Sequence, residues 1–360
     1  MKTKVIMMTV LVCMLAQGTL LTSCSKDEQL AVKPTPKEYF TLWNQCEALT
    51  TLKSYVQDVT NPKSGNYIRQ EDRIATFDMD GTFIGELYPT YFEYNLLEYR
   101  VLDDPTYKDQ APDDVREAAQ NIRDFVRQGT PLPAHFDMVH ARAAAKAYAG
   151  MTLAEFDRYV KAYAATPANG FRGMTYAESF YKPMLEVFDY LKDNGFTYYV
   201  VSGSDRFICR SLVESLGIEP NRVIGMDVCL SSNEQGDQDG VDYTMSKSEY
   251  LVRTDSLIIK NLKTNKVRQI SQEIGKTPVL SFGNSSGDCA MHNYCLSNQQ
   301  YRTATFMLVA DDADRDHADL EEGARREAKW REAGYTVISM KNDFKTIYGY
   351  SVEKTNFTFK

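Results

Sequence analysis

The sequence is poor in the residues that build metal clusters and nucleic-acid surfaces. It holds four histidines in 360 residues, none at metal-ligand spacing, and no Cys-x-x-Cys pair, which excludes the usual structural zinc sites. It lacks a positive excess. Lys and Arg number 41 against 49 Asp and Glu, a net charge of −8, so nucleic acid is excluded as a partner and an anionic ligand would need a local cation or metal. No apolar run near the start reaches the roughly 20 residues that span a bilayer; Val5 to Leu15 is the apolar stretch there. No internal repeat or low-complexity run appears, and a hydrophobic fraction of 43% is enough for a core. Setting aside Cys13 and Cys24 leaves Cys46, Cys209, Cys229, Cys289 and Cys295, an odd number, so at least one stays unpaired within the chain.

What is present begins with Lys2, Lys4 and the Val5–Leu15 run, the form of a secretory signal. Leu21-Thr22-Ser23-Cys24 resembles a bacterial lipobox. That resemblance implies a signal peptide over 1–23 and a lipid on Cys24; the alternative is an ordinary signal with a chance cysteine. Ser25-Lys26-Asp27-Glu28 resembles the surface-export signal of some Bacteroidetes lipoproteins, and reads equally as a solvated tether. The expected location is the bacterial cell envelope, anchored to the outer membrane by acyl chains, with surface display on the first reading. Residues 24–40, with Pro34 and Pro36, read as a tether and linker. About 320 residues remain for one domain, or one domain with an insertion.

Short apolar runs rich in β-branched and aromatic residues predict buried strands at Ile74–Phe77, Phe196–Ser202, Val279–Phe282, Thr303–Ala310 and Tyr335–Met340. Helical patterns lie between them, at Pro183–Asn194, Arg206–Leu216 and Lys266–Ile274, each closed by a glycine. The alternation predicts an α/β fold with a Rossmann-like parallel sheet over residues 41–82 and 175–360. Residues 83–174 break it with helical stripes only, including a Thr152–Glu155 capping box, and are expected to form an all-helical cap. Val228–Leu230 and Tyr243–Met245 are expected to pair as a hairpin. Ligands of such sheets sit at the carboxyl ends of the strands, where Asp78, Ser202 and the Gly283 turn fall.

Asp78-Met79-Asp80-Gly81-Thr82 follows a buried strand. A calcium loop would need ligands out to about position 12, whereas Phe83-Ile84 follows here. The segment resembles the first motif of the haloacid dehalogenase superfamily. Val200-Val201-Ser202-Gly203-Ser204 resembles the second motif, Lys266 stands where the third-motif lysine falls, and Gly283-Asn284-Ser285-Ser286-Gly287-Asp288 resembles the acidic fourth. The match runs from about Arg73 to Tyr348, with phosphoserine phosphatases as relatives that carry a helical cap.

The resemblance implies a magnesium-dependent phosphatase acting on a small phosphorylated metabolite. Asp78 would be the nucleophile that forms an aspartyl phosphate and Asp80 the general acid and base. Ser202, Gly203 and Lys266 would bind phosphate, with Lys260 and Lys263 as rivals of Lys266. Asp78, the Asp80 carbonyl, Asn284 and Asp288 would surround Mg2+, Asp288 in direct contact or one shell behind. Asn284 stands where many relatives carry an acid, which weakens the expected charge on the metal. Glu86 lies one residue off the spacing of the substrate-binding glutamate of phosphoserine phosphatases; the other reading faces it to solvent. Arg206 either steers phosphate or faces water, and His292 is structural or stands behind the ligands. Tyr88, Tyr91, Phe92, Tyr94, Tyr176, Phe180 and Tyr181 either line a pocket or fill the core. A lined pocket would suit a quaternary ammonium, and secreted phosphorylcholine phosphatases belong to the superfamily. The cap is expected to close over the site. Two rivals stand: a phosphotransferase of the same scaffold, and a catalytically degenerate surface binding protein.

Overall fold

The structure, a computed structural model, describes residues 37–86 and 88–359. Cys24 and the signal and lipobox segment lie outside the described residues. Packing begins at Tyr39 and Phe40, inside the stretch read as linker, where both rings meet Tyr190. Among the described residues no helix is long and apolar enough to cross a membrane.

Among the described residues nine strands form: β1 (Ile74–Phe77), β2 (Phe171–Arg172), β3 (Thr197–Asp205), β4 (Val223–Ser232), β5 (Leu251–Ile259), β6 (Leu280–Gly283), β7 (Ala304–Val309), β8 (Thr336–Ser339) and β9 (Glu353–Lys354). Seven make one sheet in the order β5-β4-β3-β1-β6-β7-β8, parallel throughout except for the antiparallel β4–β5 pair. Strand β1 is buried along its whole length, as a central parallel strand with both faces covered should be. Its register, Phe77 opposite both Val200 and Phe282, brings the ends of β1, β3 and β6 to one rim. Phe77 stacks on Phe282 at 4.3 Å and Phe282 on Phe306 at 4.9 Å, pinning β1, β6 and β7 together beneath the rim.

The register between β3 and β4 shifts between Val201 and Asp205, where the second motif lies. A Cβ on Gly225 would come within 2.7 Å of the Ser204 carbonyl oxygen and the Arg206 backbone, so only glycine lets β4 lie against this irregular strand end.

The hairpin differs from expectation. Strand β4 pairs with β5, Leu230 opposite Arg253, and Tyr243–Met245 is no strand. The periodic signal failed because β5 buries Arg253 and exposes Ile258.

Four cap helices, Phe92–Glu98, Asp113–Gln128, Phe136–Ala147 and Leu153–Ala164, lie between β1 and β3. The Thr152 hydroxyl accepts from the Glu155 N–H, and the Glu155 carboxylate accepts from the Thr152 N–H. Several contacts tie this segment to the rest of the domain. The Met151 carbonyl accepts from the Arg253 N–H, whose carbonyl accepts from Gly150. Glu93 pairs with Lys260. Strand β2, the one extended piece near the cap's exit, pairs with β9 of the carboxyl-terminal tail. The closing motion expected of the cap would have to leave or break these contacts.

Candidate active site

A cavity of about 140 Å³ opens at the rim, lined by Asp78, Asp80, Glu86, Gly203, Lys266, Asn284 and Asp288 among others. Asp78 leaves β1 with its N–H bonded to the Phe282 carbonyl. Lys266, in the first turn of the helix Thr264–Glu273, is buried and places its ammonium 2.5 Å from Asp78 Oδ1 and 2.6 Å from Asp288 Oδ1. Its rivals sit elsewhere. Lys260 is held by Glu93 on the cavity's far wall at 2.8 Å, and Lys263 is exposed.

Asp288 uses both oxygens within the core. Oδ1 takes Lys266, and Oδ2 accepts from the Asn284 and Ser285 N–H groups and the Ser285 hydroxyl at 3.0–3.1 Å. Burial works against its charge, yet the lysine and these donors hold the carboxyl below its ordinary range. Burial, with the Asp288 charge adding to it, pushes Asp78 up to about 7. Burial likewise pushes Asp80 up to about 6, against the pull of the Ser204 hydroxyl, which donates to its Oδ2 at 2.7 Å.

Ser202 lies beneath the cavity floor, fully buried. Its hydroxyl is 3.4 Å from Asp80 and accepts from the Ser204 N–H. Gly203 and Ser204 line the cavity itself. Ser204 was not singled out from the sequence, although two residues along a strand share a face.

Glu86 is buried, with its carboxylate accepting from Asn284 Nδ2 at 3.0 Å, which turns the Asn284 carbonyl oxygen toward Asp78. The Thr82 hydroxyl stands 3.4 Å from Asp78 Oδ2 and 3.5 Å from Asn284 Oδ1, so both oxygens lie close to that hydroxyl. Gly81, at φ +76°, makes this fit possible, since a Cβ there would meet Asn284 at 2.0 Å. Burial, reinforced by the Asp80 charge, pushes Glu86 up to about 8.

The donors suit a hard divalent cation. Asp78 and Asn284 place oxygens beside the Thr82 hydroxyl, and the cavity sets the buried carboxyls of Asp78, Asp80, Glu86, Glu93 and Asp288 against two ammoniums, of Lys266 and Lys260. Among the described residues no group of three or more His, Cys, Asp or Glu side chains is arranged to hold a metal. The fitting set draws instead on carboxylate and amide oxygens, with the Asp80 main-chain carbonyl as its expected third member.

The remaining candidates divide. Arg206 is half-buried and pairs with Asp227 and Glu273 at 2.6 and 2.5 Å. His292 is buried between Ser281 and the Phe306 carbonyl, a structural position. Tyr88, Phe92, Tyr176, Phe180 and Tyr181 are core, whereas Tyr91 and Tyr94 line the cavity. Glu93 and Asp137, also on its wall, carried no distinguishing signal in the sequence. All five cysteines from Cys46 onward are free.

No curated protein matches the chain in sequence. A conserved protein of unknown function from Anaerococcus prevotii is similar in structure, with a TM-score of 0.51 and 15% identity over 86% of this chain and 98% of that one. A phosphoserine phosphohydrolase-like protein from Francisella tularensis matches at TM-score 0.39 and 15% identity, over 74% of this chain and 94% of its own. Cytosolic 5′-nucleotidase IIIB bound to cytidine matches at 0.45 and 13%, over 82% and 85%. The family model for haloacid dehalogenase-like hydrolases covers residues 75–292, from within β1 to His292 beyond the fourth motif, and with more than half its length matched the chain belongs to that family.

Proposed function

We propose that the chain is a magnesium-dependent phosphomonoesterase that works through an aspartyl phosphate on Asp78. One observation carries this reading: a buried carboxylate at a strand end, clamped by a buried lysine, with a second carboxyl two residues on whose partner is a hydroxyl. Binding alone needs no such pair.

In the first step an Asp78 oxygen attacks phosphorus in line and the ester P–O bond breaks. Asp80 gives its proton to the departing alkoxide. In the second step water attacks the aspartyl phosphate, Asp80 takes that water's proton, and inorganic phosphate leaves with Asp78 restored. Asp80 at about 6 suits both directions. Lys266 holds Asp78 in register and offsets phosphate charge; Gly203 and Ser204 supply polar groups on the facing wall. When bound by Asp78, Asn284 and the Asp80 carbonyl, magnesium would screen the repulsion between phosphate and nucleophile. Glu86 positions Asn284 and so supports a site that has an amide in place of an acid.

The test is phosphate release from an aryl phosphate by the full-length chain, with magnesium or EDTA, beside Asp78→Asn. Turnover that needs magnesium and falls to background in the variant is expected. Ligand retention with no turnover on a panel of natural phosphates would favour the binding-protein reading, and transfer to an added alcohol the phosphotransferase.

We further propose that Cys24 carries the lipid anchor. Labelled palmitate should enter the wild-type chain in a bacterial host and be absent from Cys24→Ser; equal labelling would remove the proposal.

A further inference from the structure

The catalytic cavity does not end at the cap. A second cavity of about 260 Å³, nearly twice the first, shares Glu86, Tyr91, Tyr94 and Asn284 with it. The two spaces are therefore neighbours on either side of the same four side chains. Tyr91 is 38% exposed and edges against Tyr94 at 5.4 Å, a partition with one side to solvent.

The walls differ in chemistry. The first cavity is floored by carboxylates and lysine. The second is walled by Phe125 and Leu132 from the cap side and by Leu308, Val309 and Trp330 from the core. Its charged groups on the helix Leu320–Glu332 side are paired. Glu322 holds Arg326 and Arg325, each at 2.8 Å, and Asp319 accepts from the Glu322 N–H. What remains to meet a ligand is chiefly carbon, and apolar surface is what such a ligand would bury to gain affinity.

We infer that the second cavity is the leaving-group subsite, and that the substrate class is phosphate monoesters whose alcohol carries an apolar body, a hydrocarbon chain or ring reaching past Tyr91. This rests on the phosphomonoesterase reading above. The phosphate stays over Asp78, the alcohol oxygen faces Asp80, and the hydrocarbon extends between the cap loop at Leu132 and the helix Leu320–Glu332. Tyr91 and Gly323 become specificity-determining positions. A Cβ on Gly323 meets its nearest neighbours at 3.4 Å, so a larger side chain there has backbone room and must grow into the cavity it lines.

The experiment measures phosphate release from n-alkyl phosphates, methyl to octyl, by the full-length chain with magnesium. The expected result is a kcat/KM that climbs about three- to fourfold per methylene until the cavity is full, mostly through KM. Gly323→Leu should flatten the climb, and Leu132→Trp should do so from the loop side if the first variant does not fold. Methyl and octyl phosphate turned over with equal kcat/KM would overturn the subsite and leave the reaction standing. Absence of turnover on every ester would overturn both.

Discussion

Two buried lysines line the same cavity, six positions apart, and they are anchored differently. Lys266 is held by Asp78 and Asp288, both on the core rim. Lys260 is held by Glu93, which the cap brings from 167 residues away in the chain. Glu93 also accepts from the Asp205 N–H, and Asp205 pairs with fully buried Arg253, whose guanidinium lies 3.9 Å above Phe156 of the cap. The core therefore builds the Asp78 half of the site from its own strand ends. The opposite wall combines core residues, Gly203, Ser204 and Lys260, with Glu93 and Tyr94 from the segment between β1 and β3. A haloacid dehalogenase-like scaffold with this division keeps its chemistry fixed and lets the cap set the shape that surrounds it.

The largest break comes from Lys266→Met. It leaves Asp78 and Asp288 facing each other without their cation. We expect kcat to fall by about 10²–10³ and unfolding free energy to drop by about 3–5 kcal/mol. Turnover assays and urea denaturation read the two effects separately. A variant that loses stability but keeps kcat would reduce Lys266 to a structural ion.

Lys260→Met should spare more of the chemistry, costing kcat about tenfold or less, while stability falls by about 3 kcal/mol because Glu93 is left buried and charged. His140, 3.7 Å from Glu93, is the neighbour that can take up a positive charge, and Lys260 is one of the groups that keep its pKa low. His140, lowered by burial to about 4, is neutral, and Asp80 and Asp205 are acidic or already paired. The pH dependence reverses sign. In the wild type burial opposes the Glu93 charge, but Lys260 outweighs it and the carboxyl is lowered from 4.5. Its contribution is complete above that value and is lost as pH falls through the folded value. In Lys260→Met the carboxyl is raised, so stability falls as pH climbs. Glu93→Gln on that background should restore most of the loss. An unchanged pH profile in the single variant would mean that the cap does not hold Lys260 through Glu93.

The same division governs what could be read from the sequence. The Asp78 half was legible because its parts are local: a buried strand ending in Asp78, a strand ending in Ser202, a glycine turn before Asn284, and a helix opening near Lys266. The cap-dependent wall was not. Glu93 sits in a helix whose every residue is buried, Phe92–Glu98, and nothing nearby names its distant lysine. Strand β5 was missed because its buried position is an arginine, held by a carboxylate that only the fold supplies. Glu86 read equally as solvent-facing, and its contact with Asn284 spans 198 residues.

A third buried carboxyl sharpens the comparison, since no lysine holds it. Asp316 accepts from the Tyr348 hydroxyl at 2.9 Å and the His317 N–H at 2.8 Å. Tyr181 and Tyr88 lie beyond Tyr348, Asp312 adds like charge, and Lys354 is bonded to the Ala313 carbonyl. Burial pushes this carboxyl up from 3.8 to about 6. The folded state then binds more protons than the unfolded chain between those values, so stability falls as pH rises through the window. Asp316→Asn imitates the protonated form, because its amide can donate to Tyr348 where the carboxylate could only accept. We expect the variant to match wild type near pH 4 and to exceed it above pH 7 by about 2–3 kcal/mol at most, read as a urea midpoint difference that grows across the window. A difference that stays constant with pH would show that two hydrogen bonds suffice to keep a buried carboxylate charged, and that the lysine is not what separates Asp288 from Asp316.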